Sequence, residues 1–286
     1  MASWSSAAGL PLLQSLKPSP RMPVLFVGHG SPMNAIEDNA WRRSWQAMGS
    51  ELMARAVQPQ LILCVSAHWL TRGGWQITGM ASPKTIHDFG GFPQELFDQQ
   101  YAAPGAPAVA RGLAAELKSP ANGTALGVDE SEWGLDHGTW SVLKPMFPQA
   151  HIPLLQLSMD YSRPPAEHYA LGQQLQRLRE LGVLIVGSGN IVHNLRATRR
   201  GTAANEAYDW ATEFDTVVQD QIKKGQLAAL PNFMGLGAVA RQAHPTHEHY
   251  LPLLYAAGAV QPSEMPRFFN TGYQSASISM RSVLWG

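Results

Sequence analysis

The sequence predicts an α/β fold with a mainly parallel central sheet and helices packed on its faces. Short runs rich in Val, Ile and Leu are continuous rather than alternating, which is how strands covered on both faces read. Segments of helical period lie between those runs, the order that builds parallel strands joined by helices. Gly, Pro, Ser and Asn gather where the apolar runs end.

The first run is "PVLFVG" (23–28). The helical segment after it is "NAWRRSWQAMGSELMARA", where Trp41, Trp45, Met48 and Leu52 recur at four- and three-residue steps. The second run is "LILCVS" (61–66). Residues 71–105 differ: they are rich in Gly, Pro and aromatics and read as a long loop segment, of the kind that usually carries function. Within it "GGWQITGM" is placed as an added antiparallel strand. The third run is "IPLLQLS" (152–158) and the fourth "GVLIVGS" (182–188). Ahead of the fourth, Leu171, Leu175, Leu178 and Leu181 form an apolar stripe, entered through early prolines and closed by Gly182. No internal repeat, low-complexity tract or linker interrupts the chain. The expected organisation is an N-terminal extension over residues 1–21 and one domain over 22–286.

The 286 residues are 45% hydrophobic, with 21 basic and 21 acidic side chains and a formal charge of zero. That balance offers no electrostatic footprint for nucleic acid or an anionic membrane, and a small ligand is the expected partner. No apolar stretch approaches the roughly 20 residues that span a bilayer. The opening "MASWSSAAGLPLLQSLKPSPR" has no basic n-region, and Gly, Pro and Gln break its apolar patch, so a signal peptide is not expected. The lone Cys64, inside "LILCV", reads as a core thiol in a reducing compartment, and a cytoplasmic location follows.

Ten histidines carry the chemistry. His29 follows the first run, His68 the second and His193 the fourth. In open parallel sheets the ligand crevice lies outside the carboxyl ends of the strands, so these three are expected to converge there. The stretch "AHPTHEHYLPLLYAAG" (243–258) adds His244, His247, Glu248 and His249 ahead of an apolar helix, whose register decides which of them faces the cleft. Imidazole is the commonest metal donor, and a metal site is the expectation. No HExxH or paired CxxC motif is present. His137 in "WGLDHGTW" and His87 in "TIHDFGGFP" suit proton transfer or substrate contact, against a loop-ordering role through Asp136 or Asp88. Trp69, Phe89, Phe92 and Tyr101 are candidates to cover a flat ligand, with packing as the competing role.

Taken together, "GHGSPMNAIEDN", "SAHW", "TIHDFGGFP", "WGLDHGTWSVL", "SGNIVHNLR" and "HPTHEHYLPLLYAAGA" resemble the class III extradiol ring-cleavage dioxygenases, specifically the 4,5-DOPA extradiol dioxygenase family. The resemblance runs from about residue 22 to the C-terminal "SISMRSVLWG". It implies a mixed, mainly parallel sheet with helices on both faces and a metal site at the C-terminal ends of the strands. It implies metal binding by His29, His68 and His249. His193 is placed at the metal as a further ligand or as the acid–base residue, and His137 in the substrate pocket as a second catalytic group. Substrate contacts are expected from His87, Phe92 and Trp69. The implied cofactor is one divalent ion per chain, Fe(II) or Zn(II), because Glu248 is the only carboxylate expected near an otherwise imidazole shell. The implied reaction inserts O2 into the ring of DOPA or a related catechol and gives a hydroxymuconic semialdehyde-type product. The rival readings are a zinc hydrolase using metal-bound hydroxide and a non-catalytic metal-binding protein. Arg72, Lys84 and Arg196 are available as countercharges for a DOPA-like substrate. Monomer and homodimer are both compatible with the sequence.

Overall fold

The computed structural model describes residue 13 and residues 15–286. In chain order, β1 (Val24–Gly28) is followed by a 3-10 turn and α1 (Ala40–Met53), then β2 (Leu61–Thr71) and β3 (Gln76–Thr78). The short α2 (Gln94–Phe97), α3 (Pro107–Glu116), β4 (Gly127–Asp129) and α4 (His137–Met146) come next. Then follow β5 (Leu154–Asp160), α5 (Pro165–Gln174), β6 (Val183–Gly189), α6 (Asp209–Lys223), α7 (Ala238–Ala243) and α8 (Leu251–Gly258). The chain closes with β7 (Pro266–Phe269), β8 (Tyr273–Gln274), β9 (Ile278–Ser279) and β10 (Ser282–Trp285).

Eight strands form one sheet in the order β4-β3-β5-β2-β6-β1-β10-β7. Its centre is parallel, with β1 on β6, β6 on β2 and β2 on β5. The flanks add antiparallel pairs, β3 on β5 at one side and β10 on β1 at the other. The mixed, mainly parallel sheet is therefore the observed one.

Successive residues of the central strands serve opposite cores. Val24 and Phe26 enter one cluster and Leu25 and Val27 the other; Val183 and Ile185 divide from Leu184 and Val186 in the same way. Both sides of each strand must be apolar for this, which explains the unbroken runs. Helices α3, α5, α6 and α8 cover the first face, α1 and α4 the second. Leu13 and Leu16 lie in the first core, so the described part of the N-terminal extension is docked. Residues 1–12 and 14 of that expected extension lie outside the described residues. Among the described residues, no helix is long and apolar enough to cross a membrane.

Two local expectations are corrected. The leucine stripe at 171–181 is not one α-helix: α5 ends at Gln174 and Leu175–Leu181 tightens into a 3-10 helix. Three residues per turn bring Leu175, Leu178 and Leu181 into line, and Gly182 ends the turn at φ 72°. The second correction concerns β2, which does not stop at Ser66 but continues to Thr71, so His68 sits within the strand.

His168 shows how a buried imidazole is held neutral away from the cleft. Trp75 Nε1–H donates to Tyr255 Oη (2.6 Å), whose hydroxyl donates to His168 Nδ1 (2.7 Å); Nε2–H faces the Arg163 carbonyl (3.3 Å). Burial lowers its pKa from 6.5 to about 4, against the pull of the Arg163 carbonyl. The unfolded chain takes up this proton near 6.5, the folded chain only near 4. Stability is therefore full above 6.5, falls as the pH drops through that window and levels off below it, by about 3 kcal/mol for this group. Urea midpoints measured across the window are expected to fall more steeply for the native chain than for His168→Gln.

Candidate active site

Five histidines reach one point from five places in the chain. β1 ends at Gly28, where a Cβ would stand 2.7 Å from the Met280 carbonyl, so the strand can pass only as glycine. His29 comes next, and its backbone N–H bonds to Gly189 O (3.0 Å), carrying the β1–β6 pairing one step into the site. His68 is delivered by a bulge. Between Val65 and Leu70 β2 advances five residues while β5 advances only two, from Leu157 to Met159. The surplus backbone leaves the ladder and aims the imidazole at the cleft. His137 opens α4, capped by Asp136, whose side chain accepts from Thr139 N (3.1 Å). Gly138 lets that helix end approach, since a Cβ there would meet His68 Cδ2 at 2.8 Å. His193 lies beyond β6, tied by its N–H to Ala243 O (3.0 Å). His249 leads into α8.

The rings form one cluster. Centroids of His29 and His68 are 5.2 Å apart, His29 and His249 5.2 Å, and His68 and His249 5.0 Å. His137 lies 3.8 Å from His68, and His193 stacks on His249 at 3.5 Å with rings 6° from parallel. Two groups within the cluster bring ligand atoms close enough to share an ion: His29, His68 and His137, and His193, Glu248 and His249. The structure thus brings all five rings together, but the group that His29 and His68 form includes His137, whereas the expected third ligand, His249, groups with His193 and Glu248.

Neighbours fix which ring nitrogen is free. Ser188 Oγ–H donates to the Gly138 carbonyl, so its oxygen accepts from His29 Nδ1–H (3.0 Å). His68 points Nδ1 at Asp88 Oδ2 (3.4 Å), and His249 Nδ1–H donates to Glu248 Oε1 (3.0 Å). Each ring keeps Nε2 for another partner. The Nε2 atoms of His29 and His68 then face each other at 3.4 Å with a lone pair on each, an arrangement a shared cation resolves. Burial, followed by the neighbouring imidazoles, holds His29 and His249 well below the usual histidine range; burial and His137 do the same for His68. Burial lowers His193 to about 4. Neutral imidazoles are what metal ligation requires, so the donor set fits a divalent ion.

Asp88 is the carboxylate that sequence reasoning undervalued. One oxygen accepts from His137 N–H (2.9 Å) and lies 3.0 Å from His137 Nδ1, off the axis of a ring N–H bond; the other faces His68. Burial would raise its pKa, but the His137 hydrogen bond and the neighbouring imidazoles hold it at about 2. Glu248 is therefore not the only acid at the site. Behind it, Asp136 accepts from Ser66 Oγ (2.6 Å), Trp133 Nε1 (3.3 Å) and Gln156 Nε2, joining the β2 bulge, β5 and the start of α4. Burial, and then the charge of Asp88, raises the Asp136 pKa.

The cluster opens into a cavity of about 530 Å³, within the range of small-molecule sites. Phe89 and Phe92 wall it edge to face at 5.4 Å. The other expected substrate contacts are elsewhere. His87 Nε2 bonds to Gln99 O (2.9 Å), and Trp69 is buried on Trp133, rings 3° from parallel. Tyr101 is a core residue whose hydroxyl donates to Phe147 O (3.1 Å). Arg72, Lys84 and Arg196 do not line the cavity; Arg200 does.

Residues 23–282 match the family described as the catalytic LigB subunit of aromatic ring-opening dioxygenase. The chain is 46% identical over 271 residues to the 4,5-DOPA dioxygenase extradiol of Escherichia coli (strain K12), covering 94% of this chain and 96% of that protein. It is 32% identical to the protein of the same description from Beta vulgaris, over 91% of this chain and 94% of the relative. A crystal structure of an uncharacterized Escherichia coli K12 protein superposes with a TM-score of 0.78 at 41% identity, covering 93% of this chain and all of that one. Matches of this length and identity, on a fold that brings five histidines to one cavity, make the chain a member of the LigB-type extradiol aromatic ring-opening dioxygenases, in the DOPA dioxygenase family.

Proposed function

We propose that this enzyme opens the ring of DOPA-like catechols beside the two hydroxyls, with one divalent ion held by His29, His68 and His249. The observation that supports this most is that each of these three rings turns its Nδ1 to Ser188, Asp88 or Glu248, which leaves Nε2 as the nitrogen for an ion. Bound there, Fe(II) supplies Lewis acidity toward the catechol oxygens and a route for electrons to O2, whereas Zn(II) supplies only the first.

The chain's own groups do the rest. His193 is the acid–base residue: burial keeps it neutral at pH 7, and among the described residues its ring takes no hydrogen-bond partner, so a ring nitrogen is free to accept the catechol proton and return it later. Stacking on His249 fixes its plane. His137, on the first turn of α4, presents its ring and the positive end of the helix dipole to the anionic catecholate. Phe89 and Phe92 exclude water and flank the ring. Anaerobic loading with Fe(II) is expected to give oxygen uptake with catechols, and Zn(II) loading to give stoichiometric binding without uptake. Uptake equal under both metals would reject this assignment.

A further inference from the structure

The cavity has charged groups at two levels. Asp88 sits at the histidine end, engaged by His137 and His68. Among the described residues that line the cavity, Arg200 is the one permanent cation. It is exposed at the mouth and has no carboxylate partner among the described residues, whereas its neighbour Arg199 faces Glu206 (3.8 Å) and lies over the Tyr208 ring. Its backbone is anchored there. Arg199 N–H bonds to Ser275 O (3.0 Å) and Asn194 N–H to Ser277 O (3.1 Å), stitching 194–200 to a tight turn. Ser275 and Ala276 in that turn have φ of 55° and 63°, left-handed values that surrounding structure must hold. Other polar groups at the mouth are neutral, and Gln274 Oε1 already accepts from Ser31 N–H (2.7 Å).

We propose that Arg200 sets substrate preference: it receives the carboxylate of a catechol side chain, so this site favours catechols bearing a carboxylate over neutral or purely cationic ones. The inference rests on the catechol reading above and adds the substrate's charge. A guanidinium pairs with carboxylate through two parallel hydrogen bonds, while an ammonium group meets no uncommitted acid in this cavity. Because Arg200 is wet, the gain is modest and salt-dependent.

The test compares dihydroxyphenylpropionate, ethylcatechol and dopamine. Calorimetry on Zn(II)-loaded protein under anaerobic conditions reads binding without turnover, and oxygen uptake on Fe(II)-loaded protein reads kcat/KM. The native chain is expected to prefer the carboxylate over ethylcatechol by about five- to tenfold, with dopamine no better than ethylcatechol. Arg200→Gln is expected to erase that preference, Arg200→Lys to restore part of it and Arg200→Glu to shift it toward dopamine, all less at high salt. Equal binding of the three by the native chain, or a preference that survives Arg200→Gln, overturns the proposal while ethylcatechol opening leaves the ring-cleavage reading intact. If no catechol is bound or opened, both fall together.

Discussion

His68→Ala is expected to leave the protein without stoichiometric metal, and His193→Gln to keep its metal while kcat falls by roughly a hundred- to ten-thousandfold. The split follows from how the two rings are held. His68 is locked by the β2 bulge, the close approach of Gly138 and the carboxylate of Asp88, with Nε2 turned to His29. Removing it leaves two imidazoles where three are needed. His193 is held only by backbone bonding and its stack on His249, which suits a group that changes protonation during turnover. Elemental analysis beside oxygen-uptake kinetics distinguishes the two variants. Equal metal loss in both would make His193 a permanent ligand and remove it from proton transfer.

Asp88→Asn is expected to weaken metal binding by about ten- to a hundredfold, the usual cost of losing a carboxylate behind a ligating histidine. The amide keeps the size of the side chain and an oxygen for His137 N–H, so the fold should persist with an unchanged circular dichroism spectrum. What disappears is the negative charge that orients His68 and faces His137. Since Asp88 holds its proton only below about 2, the carboxylate is ionised throughout the working range and contributes no limb to a neutral pH–rate profile. Chelator competition measures the affinity loss; an unchanged dissociation constant would show that His68 is oriented without this acid.

The central strands were legible because each is buried on two sides over most of its length, which leaves unbroken apolar stretches such as VLFVG in β1, LILCV in β2 and VLIVG in β6. The closing strands were not: β7 and β10 have four residues each and β8 and β9 two, too few to display a period. His29 and His193 could be placed from the sequence because each follows the end of an apolar run. His68 was assigned to the right edge by the wrong device, since a bulge is a relation between two strands and leaves no mark in one of them. Asp88 and Ser188 touch the histidines only after the 71–105 segment and β6 come together in space. From sequence alone Asp88 reads as no more than a loop-ordering partner, and Ser188 as the end of a strand. Trp69 and His87 show the converse: a chemically suitable residue beside a functional motif can still turn away from the cavity, Trp69 onto Trp133 and His87 onto the Gln99 carbonyl.

Val24 of β1 pairs with Ile185 on one side and with Trp285 on the other. Both partners are synthesised long after it, so the strand that carries His29 waits through most of the polypeptide before its ladder can close. Long-range pairing of this kind is paid in loop entropy and slows folding. The position of His29 consequently depends on pairings that span most of the sequence, and a change that loosens β6 or β10 is felt at the histidine cluster although it touches none of its rings.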